Sequence, residues 1–231
     1  MSRTASAALT LVLLITGCDA QESPERGSAA ATTTRPVSDP IANLPEPVRE
    51  FLVGDPDHPF GEPGPDIPDE TAFFAALAGA WSCAVHVTDG GRRISGWPAT
   101  WAFKYSAGGH AIEHFYYQKE SDLPPPLVAL RRDSHTVALV QYDPSIQVWR
   151  FLSVSNVAGA GIGQSTRVMT GRLKGAVLTF EPDHQDPALL RRETFHDIES
   201  TRFVWSELES RDQGQTWTGS VSVMCDRLAG P

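Results

Sequence analysis

The chain has 231 residues and a formal net charge of −9, with 28 Asp or Glu against 19 Lys or Arg. The surplus is uneven: from Asp19 to Glu70 twelve acids and ten of the eighteen prolines accompany three Arg, whereas Thr71 to Pro231 carries sixteen acids against fifteen basic residues. A near-neutral body shows no electrostatic preference for nucleic acid, and the acidic stretch has the makeup of a solvated tether, which says nothing about the charge of a substrate.

Met1 to Cys18 reads MSRTASAALTLVLLITGC. One positive residue, Arg3, precedes an apolar run from about Ala5 to Ile15 that is too short to span a bilayer and has the proportions of a signal-peptide core. Its end, Ile15-Thr16-Gly17-Cys18, resembles the lipobox of bacterial lipoproteins, in which a lipid is attached to the cysteine and cleavage leaves that cysteine first. The resemblance implies a signal peptide over residues 1–17 and lipidation of Cys18. The acyl chains, palmitate among them, would then hold the protein on a bacterial bilayer, each buried methylene contributing about 0.8 kcal/mol. By likeness to the Gram-negative sorting rule, Asp19 just after the cysteine implies the inner membrane, facing the periplasm.

Residues 18–68 are expected to form the lipidated cysteine and a disordered acidic, Pro-rich tether, which buries too little apolar surface to offset its ordering entropy. Pro47 to Leu52 has room for one helical turn, with Phe51 and Leu52 as its apolar handle. The folded domain is expected over residues 69–231. Pro68-Asp69-Glu70-Thr71 starts a short helix, Phe73, Phe74 and Leu77 recur at helical spacing, and Gly79 stops it. Those phenylalanines must cover something, and the lower end of a barrel is the natural place.

From Trp81 the period changes to two, and turn signals arrive every eight to twelve residues. Trp81, Cys83, Val85 and Val87 alternate with polar or small residues up to a hairpin turn at Asp89-Gly90-Gly91. A second strand presents Trp101, Phe103 and Tyr105 on one face, with Trp97-Pro98 marking a bulge or edge at its start. Further strands are expected at Ile112–Tyr117, Leu127–Arg131, Thr136–Tyr142, Val148–Val154, Thr166–Leu173, Ala176–Phe180, Leu190–His196, Arg202–Leu208 and Thr216–Leu228. With no long helix to support parallel crossovers, the fold class is all-β: an antiparallel up-and-down barrel of about ten strands with one short N-terminal helix.

Gly79-Ala80-Trp81 on the first strand, with Arg227 near the end of the last, resembles the G-x-W and terminal arginine of lipocalins and related calycin barrels. Phe73 to Trp81, the Tyr142-Asp143-Pro144…Trp149 hairpin and the closing strand are similar to an uncharacterised bacterial family of lipocalin-like domains. The likeness implies contact between Trp81 and Arg227. In an even-stranded barrel that contact fixes a register opposing Cys83 to Cys225, Val85 to Val223 and Val87 to Val221. If lipidation consumes Cys18, these two cysteines remain in an oxidising compartment, either bridged or as two buried thiols.

Ser210-Arg211-Asp212-Gln213-Gly214-Gln215-Thr216-Trp217 resembles the Asp-box of sialidase propellers, here in a single copy. Asp212, Gly214 and Trp217 are expected to build a turn rather than an active site. His110 and His114 have the spacing of helical metal ligands but sit on a strand, where they stand roughly 13 Å apart, so no metal is expected. Gly159 to Gly163 lacks the pattern and the following helix of a phosphate loop. Nitrobindin relatives of the fold hold a haem on a single histidine, and the resemblance leaves that cofactor open.

The aromatic faces carrying Trp101, Phe103, Tyr105, Trp149, Phe203 and Trp205 are expected to line a cavity for a small, mostly apolar ligand. Glu113, His114, Glu193 and His196 are the residues suited to acid or base work should their strands aim them inward. Glu113 and His114 therefore join Trp101, Phe103, Tyr105, Phe203 and Trp205 as the candidate ligand site. Two other readings stay open: an enzyme acting on a small hydrophobic substrate, by isomerase, hydrolase or haem chemistry, and a structural barrel with a filled core.

Overall fold

The alternating pattern after Trp81 is realised as a continuous antiparallel meander. The computed structural model describes residues 41–55, 57–89, 92–122, 132–156 and 166–231. Its strands are β1 (Gly79–Asp89), β2 (Arg92–Ser106), β3 (Ala111–Gln118), β4 (Ser134–Asp143), β5 (Val148–Ser155), β6 (Thr166–Lys174), β7 (Val177–Pro182), β8 (Leu190–His196), β9 (Arg202–Ser210) and β10 (Thr218–Ala229). Each pairs with the next, and β10 returns to β1, so the barrel closes without a free edge. The signal peptide, Cys18, the strand expected at Leu127–Arg131, the glycines at 90–91 and the loop Gly159–Gly163 lie outside the described residues.

The two ends of the barrel differ. At the lower end, where β1 begins, the connections between consecutive strands are at most five residues long. At the upper end two residues separate β1 from β2, whereas seven to fifteen separate the strands at the four other connections. Pro98 stands in a regular pair with Ala84, and the register shift falls a few residues away, between Val87 and Thr88. The β3 pairing starts only at Thr100, so Pro98 lies where β2 has one paired neighbour, a position that tolerates a missing N–H.

At the seam, Trp81 opposes Arg227, and the same register runs on through Cys83↔Cys225, Val85↔Val223 and Val87↔Val221. The Arg227 guanidinium lies 4.2 Å over the Trp81 ring. It donates to the carbonyl of Ala78 at 2.8 Å and to those of Ala76 and Ser200. Trp81 in turn donates its indole N–H to the Leu77 carbonyl at 2.9 Å. Gly79 is obligatory here: its φ is +144°, and an added Cβ would stand 2.5 Å from both the Ala229 carbonyl oxygen and Arg227 Nη1. Cys83 and Cys225 form a disulfide, with Cα atoms 4.1 Å apart.

The lower end is plugged as the phenylalanine spacing implies, by a shorter element than a helix reaching Gly79. A 3-10 turn (Asp69–Thr71) leads into a single α-helical turn, Ala72–Ala75. The chain then extends, because Leu77 and Ala78 must hand their carbonyls or backbone to the Trp81 and Arg227 contacts. Phe74 is fully buried, its ring 4.9 Å from Trp149 and 6.2 Å from Phe195.

The tether expected through residue 68 is corrected from Ile41 onward. Ile41, Leu44, Val48, Leu52 and Phe60 are buried in a second apolar cluster on the outer face of β1, β2 and β3, with Ala80, Ala102, Phe115 and Tyr117. Helix α1 (Glu46–Leu52) turns Val48 and Leu52, four residues apart, onto that face, while Phe51 stacks on Phe115 at 5.4 Å. Small residues at 80 and 102 leave a hollow in the sheet that larger side chains would fill. Lys104 fastens the helix end by donating to the Phe51 carbonyl at 2.6 Å and lying 4.3 Å over its ring. Farther on, the Phe60 carbonyl accepts the Tyr105 N–H at 2.8 Å. Acidity and proline content describe the solvated side of this segment and miss its apolar one.

Two measurements check this architecture. The disulfide ties residues 142 apart, so the Cys83→Ala/Cys225→Ala variant is expected to lose about 3–5 kcal/mol by urea denaturation; an unchanged midpoint would show that the cross-link contributes nothing. Limited proteolysis should leave a core starting near Ile41 rather than Asp69. A fragment beginning at residue 69 should lose on the order of 5 kcal/mol of apolar burial and bind a hydrophobic dye at Phe115 and Tyr117.

Candidate functional site

Strand alternation sends one residue in two into the lumen, and the lower half of that space is filled by rings. Phe74, Trp81, Phe103, Trp149, Phe180, Phe195 and Phe203 are each at most 1 % exposed. Gly171 makes part of this packing possible, since a Cβ there would meet the Phe180 ring at 2.5 Å and Trp149 Cβ at 2.9 Å. Trp101 is the centre of the arrangement. Its ring lies 5.3 Å from Phe103, 5.7 Å from both Phe195 and Phe203, 5.1 Å from Tyr116 and 6.1 Å from Trp205.

Beside Trp101 sits His114, 2 % exposed. The Trp101 indole N–H donates to His114 Nδ1 at 3.0 Å, so the imidazole proton is on Nε2. Among the described residues that Nε2 has no hydrogen-bond partner. Burial holds the His114 pKa down at about 3, which keeps the ring neutral across the physiological range. Phe103 and Phe151 lie 5.2 and 5.6 Å from it. Haem ligation through His114 would require those rings to part, so the surrounding residues do not fit that group.

Above Trp101 the lining becomes polar. Arg167, Glu193 and Glu207 occupy positions that, by alternation with Met169, Phe195 and Trp205, face the lumen. Glu193 and Glu207 are directly opposed across β8 and β9, an unfavourable pairing of like charges on its own. Arg167 offsets it: its guanidinium pairs with Glu193 at 2.5 Å and with Glu207 at 3.7 Å. It reaches β8 across the end of β7, whose pairing with β6 stops at Met169↔Pro182. Burial raises the Glu193 pKa, with Arg167 opposing the rise and Glu207 reinforcing it. Nearby, Gln118 donates to the Tyr116 hydroxyl at 2.7 Å, and burial raises the Tyr116 pKa.

The upper rim carries the Asp-box-like turn. Asp212 accepts the Thr216 N–H at 2.9 Å, the Thr216 hydroxyl at 2.5 Å and the Ser210 hydroxyl at 2.7 Å. These bonds, that of the Thr216 hydroxyl foremost, hold its carboxyl at about 2. Gly214 has φ +87°, and Trp217 donates to the Gly214 carbonyl at 3.1 Å. Asp212 also borders a rim groove of about 370 Å³ with Thr88, Glu209 and Ser220, but its oxygens are already committed to the turn.

The residues expected to share one cavity therefore separate. Phe103, Phe203 and Tyr105 are buried in the packed core rather than lining open space. Trp101 forms its top, and half-buried Trp205 stands above it among the charged groups. Glu113 is corrected outright: as the strand neighbour of inward His114 it faces outward, 3.7 Å from Lys104. His196 likewise faces outward, bonded to Asp197 and Ser206 at 3.0 and 3.1 Å. His110 lies exposed in the turn before β3, apart from His114, and among the described residues no group of His, Cys, Asp or Glu could hold a metal. Sequence reading singled out Glu193 but missed Arg167 and Glu207. The available signal was a charge at an apolar-parity position, two residues from Met169 and from Trp205.

No family model matches the chain, and no curated protein matches it. Among solved structures it is similar to Rv2717c from M. tuberculosis, with a TM-score of 0.46 and 10 % identity over 70 % of this chain and 99 % of that one. It is also similar to a protein of unknown function from the DUF3598 family of Nostoc punctiforme, with a TM-score of 0.23 and 11 % identity over 69 % of this chain and 99 % of that one. At those scores and identities neither neighbour bears on what this chain does.

His114 gives the site a pH signature. Its pKa is depressed in the folded state, so its contribution to stability is complete above pH 6.5 and is lost as pH falls toward 3. The slope is up to about 1.4 kcal/mol per pH unit. His114→Asn, which keeps an acceptor for Trp101, is expected to flatten the denaturation midpoint against pH between 6.5 and 3. An identical slope in the variant would show that His114 is not the group responsible.

Proposed function

We propose that the protein is a lipid-anchored envelope lipoprotein whose barrel holds a small, largely apolar ligand at its upper end, over the ring of Trp101. The anchor rests on the lipobox-like Ile15-Thr16-Gly17-Cys18, and an inner-membrane position facing the periplasm on Asp19. The ligand reading is carried by one observation: a half-buried Trp205 and the Arg167–Glu193–Glu207 group face the lumen directly above a packed aromatic floor. A barrel filled for structure alone gains nothing by taking three charges out of water, at several kcal/mol per ion before pairing. Long connections at that same end favour it as the mouth.

Native mass spectrometry of the protein purified from its host tests both parts. The expected spectrum carries a diacyl or triacyl mass increment on Cys18, abolished by Cys18→Ser, and a retained small molecule released on unfolding. An unmodified Cys18 would overturn the anchor. A barrel of bare polypeptide mass that also takes up no apolar fluorescent probe would favour the structural reading instead.

A further inference from the structure

The upper lumen carries charged side chains of both signs. Its lining holds two cations and three carboxylates: Arg167 with Glu193 and Glu207, and Arg191 with Glu209 at 3.1 Å. Arg211, 3.9 Å from Glu209, is largely exposed on the rim. Arg167 is therefore shared, and its shares are unequal. Glu193, 7 % exposed, takes the close contact, whereas Glu207 has only the 3.7 Å approach on Oε2 and a 3.1 Å bond from Ser220 on Oε1. Three aromatic side chains complete the surroundings. Trp97 and Trp205 stand at one level of the barrel, three strands apart in the paired row Trp97↔Val85↔Val223↔Trp205, and Tyr116 packs on Trp101. Trp97 adds a buried indole N–H without a partner among the described residues.

Resting on the ligand-binding reading above, we infer that this site takes an organic cation, an ammonium or quaternary nitrogen on an apolar body, with its charge beside Glu207 and the face of Trp205 and its apolar body toward Tyr116 and Trp97. Electron-rich ring faces attract such a head, and an under-paired carboxylate supplies the opposite charge. A carboxylate-headed ligand of the same size would meet two glutamates whose arginine is already committed.

The test is calorimetric titration of the full chain carrying Cys18→Ser with octyltrimethylammonium, octanoate and octanol, each below its micelle-forming concentration. The cation is expected to bind at least tenfold more tightly than either of the others. Glu207→Gln should lower its affinity about tenfold while leaving octanol unchanged. Octanol or octanoate binding as well as the cation would overturn the inference and leave the ligand-binding reading standing. Failure of all three probes would overturn both. Should Glu207→Gln fail to fold, the order of the three probes on the unmutated lumen decides by itself.

Discussion

The stacking of Arg227 on Trp81 is the contact on which the barrel depends. A single guanidinium covers the first tryptophan of the opening strand, binds two carbonyls of the segment entering that strand and ties in the β8–β9 turn through Ser200. The carbonyls of Ala76 and Ala78 would otherwise end part-buried without this donor, a deficit of about 1–3 kcal/mol apiece. Gly79 exists to let the arginine approach. The disulfide two pairs farther along the seam, on the same face, holds the same two strands covalently, so closure is secured by a charge, a ring and a bond on one stretch of the seam.

That closure allows the lumen to be divided. The lower compartment is filled by buried rings, while Trp101 and His114 form its lid through one neutral hydrogen bond. Above them the barrel accepts a costly arrangement, two opposed glutamates reconciled by an arginine reaching over a strand that ends early at Pro182. The short β7 is thus as much part of the site as the side chains are.

The meander and its seam were legible because alternation is local and because Trp81 and Arg227 are landmarks that set a register for every residue between the seam strands. The helix at the floor was legible as an element, though its end was not, since Gly79 acts there through its closeness to Arg227 rather than by stopping a helix. The outer packing of residues 41–60 was not legible. Its apolar residues are scattered among prolines, and the hollow that receives them is made by Ala80 and Ala102, alanines whose role appears only when β1 and β2 lie together. Strand parity alone could have separated Glu113 from His114. Parity also marks Arg167 and Glu207 as lumen charges, but their partnership requires the three-dimensional path across β7.

The meander has an order in time as well as in space. Chains emerge N-terminus first, so β1 is among the earliest strands made, yet one of its two edges belongs to β10, the last. Until that strand arrives, the opening strand carries a row of unanswered amides and a lone thiol at Cys83, the kind of template that recruits other chains. The growing polypeptide must therefore keep its first strand waiting for its final one, and crowding during synthesis rather than heat is the circumstance in which this barrel is most exposed to mispairing.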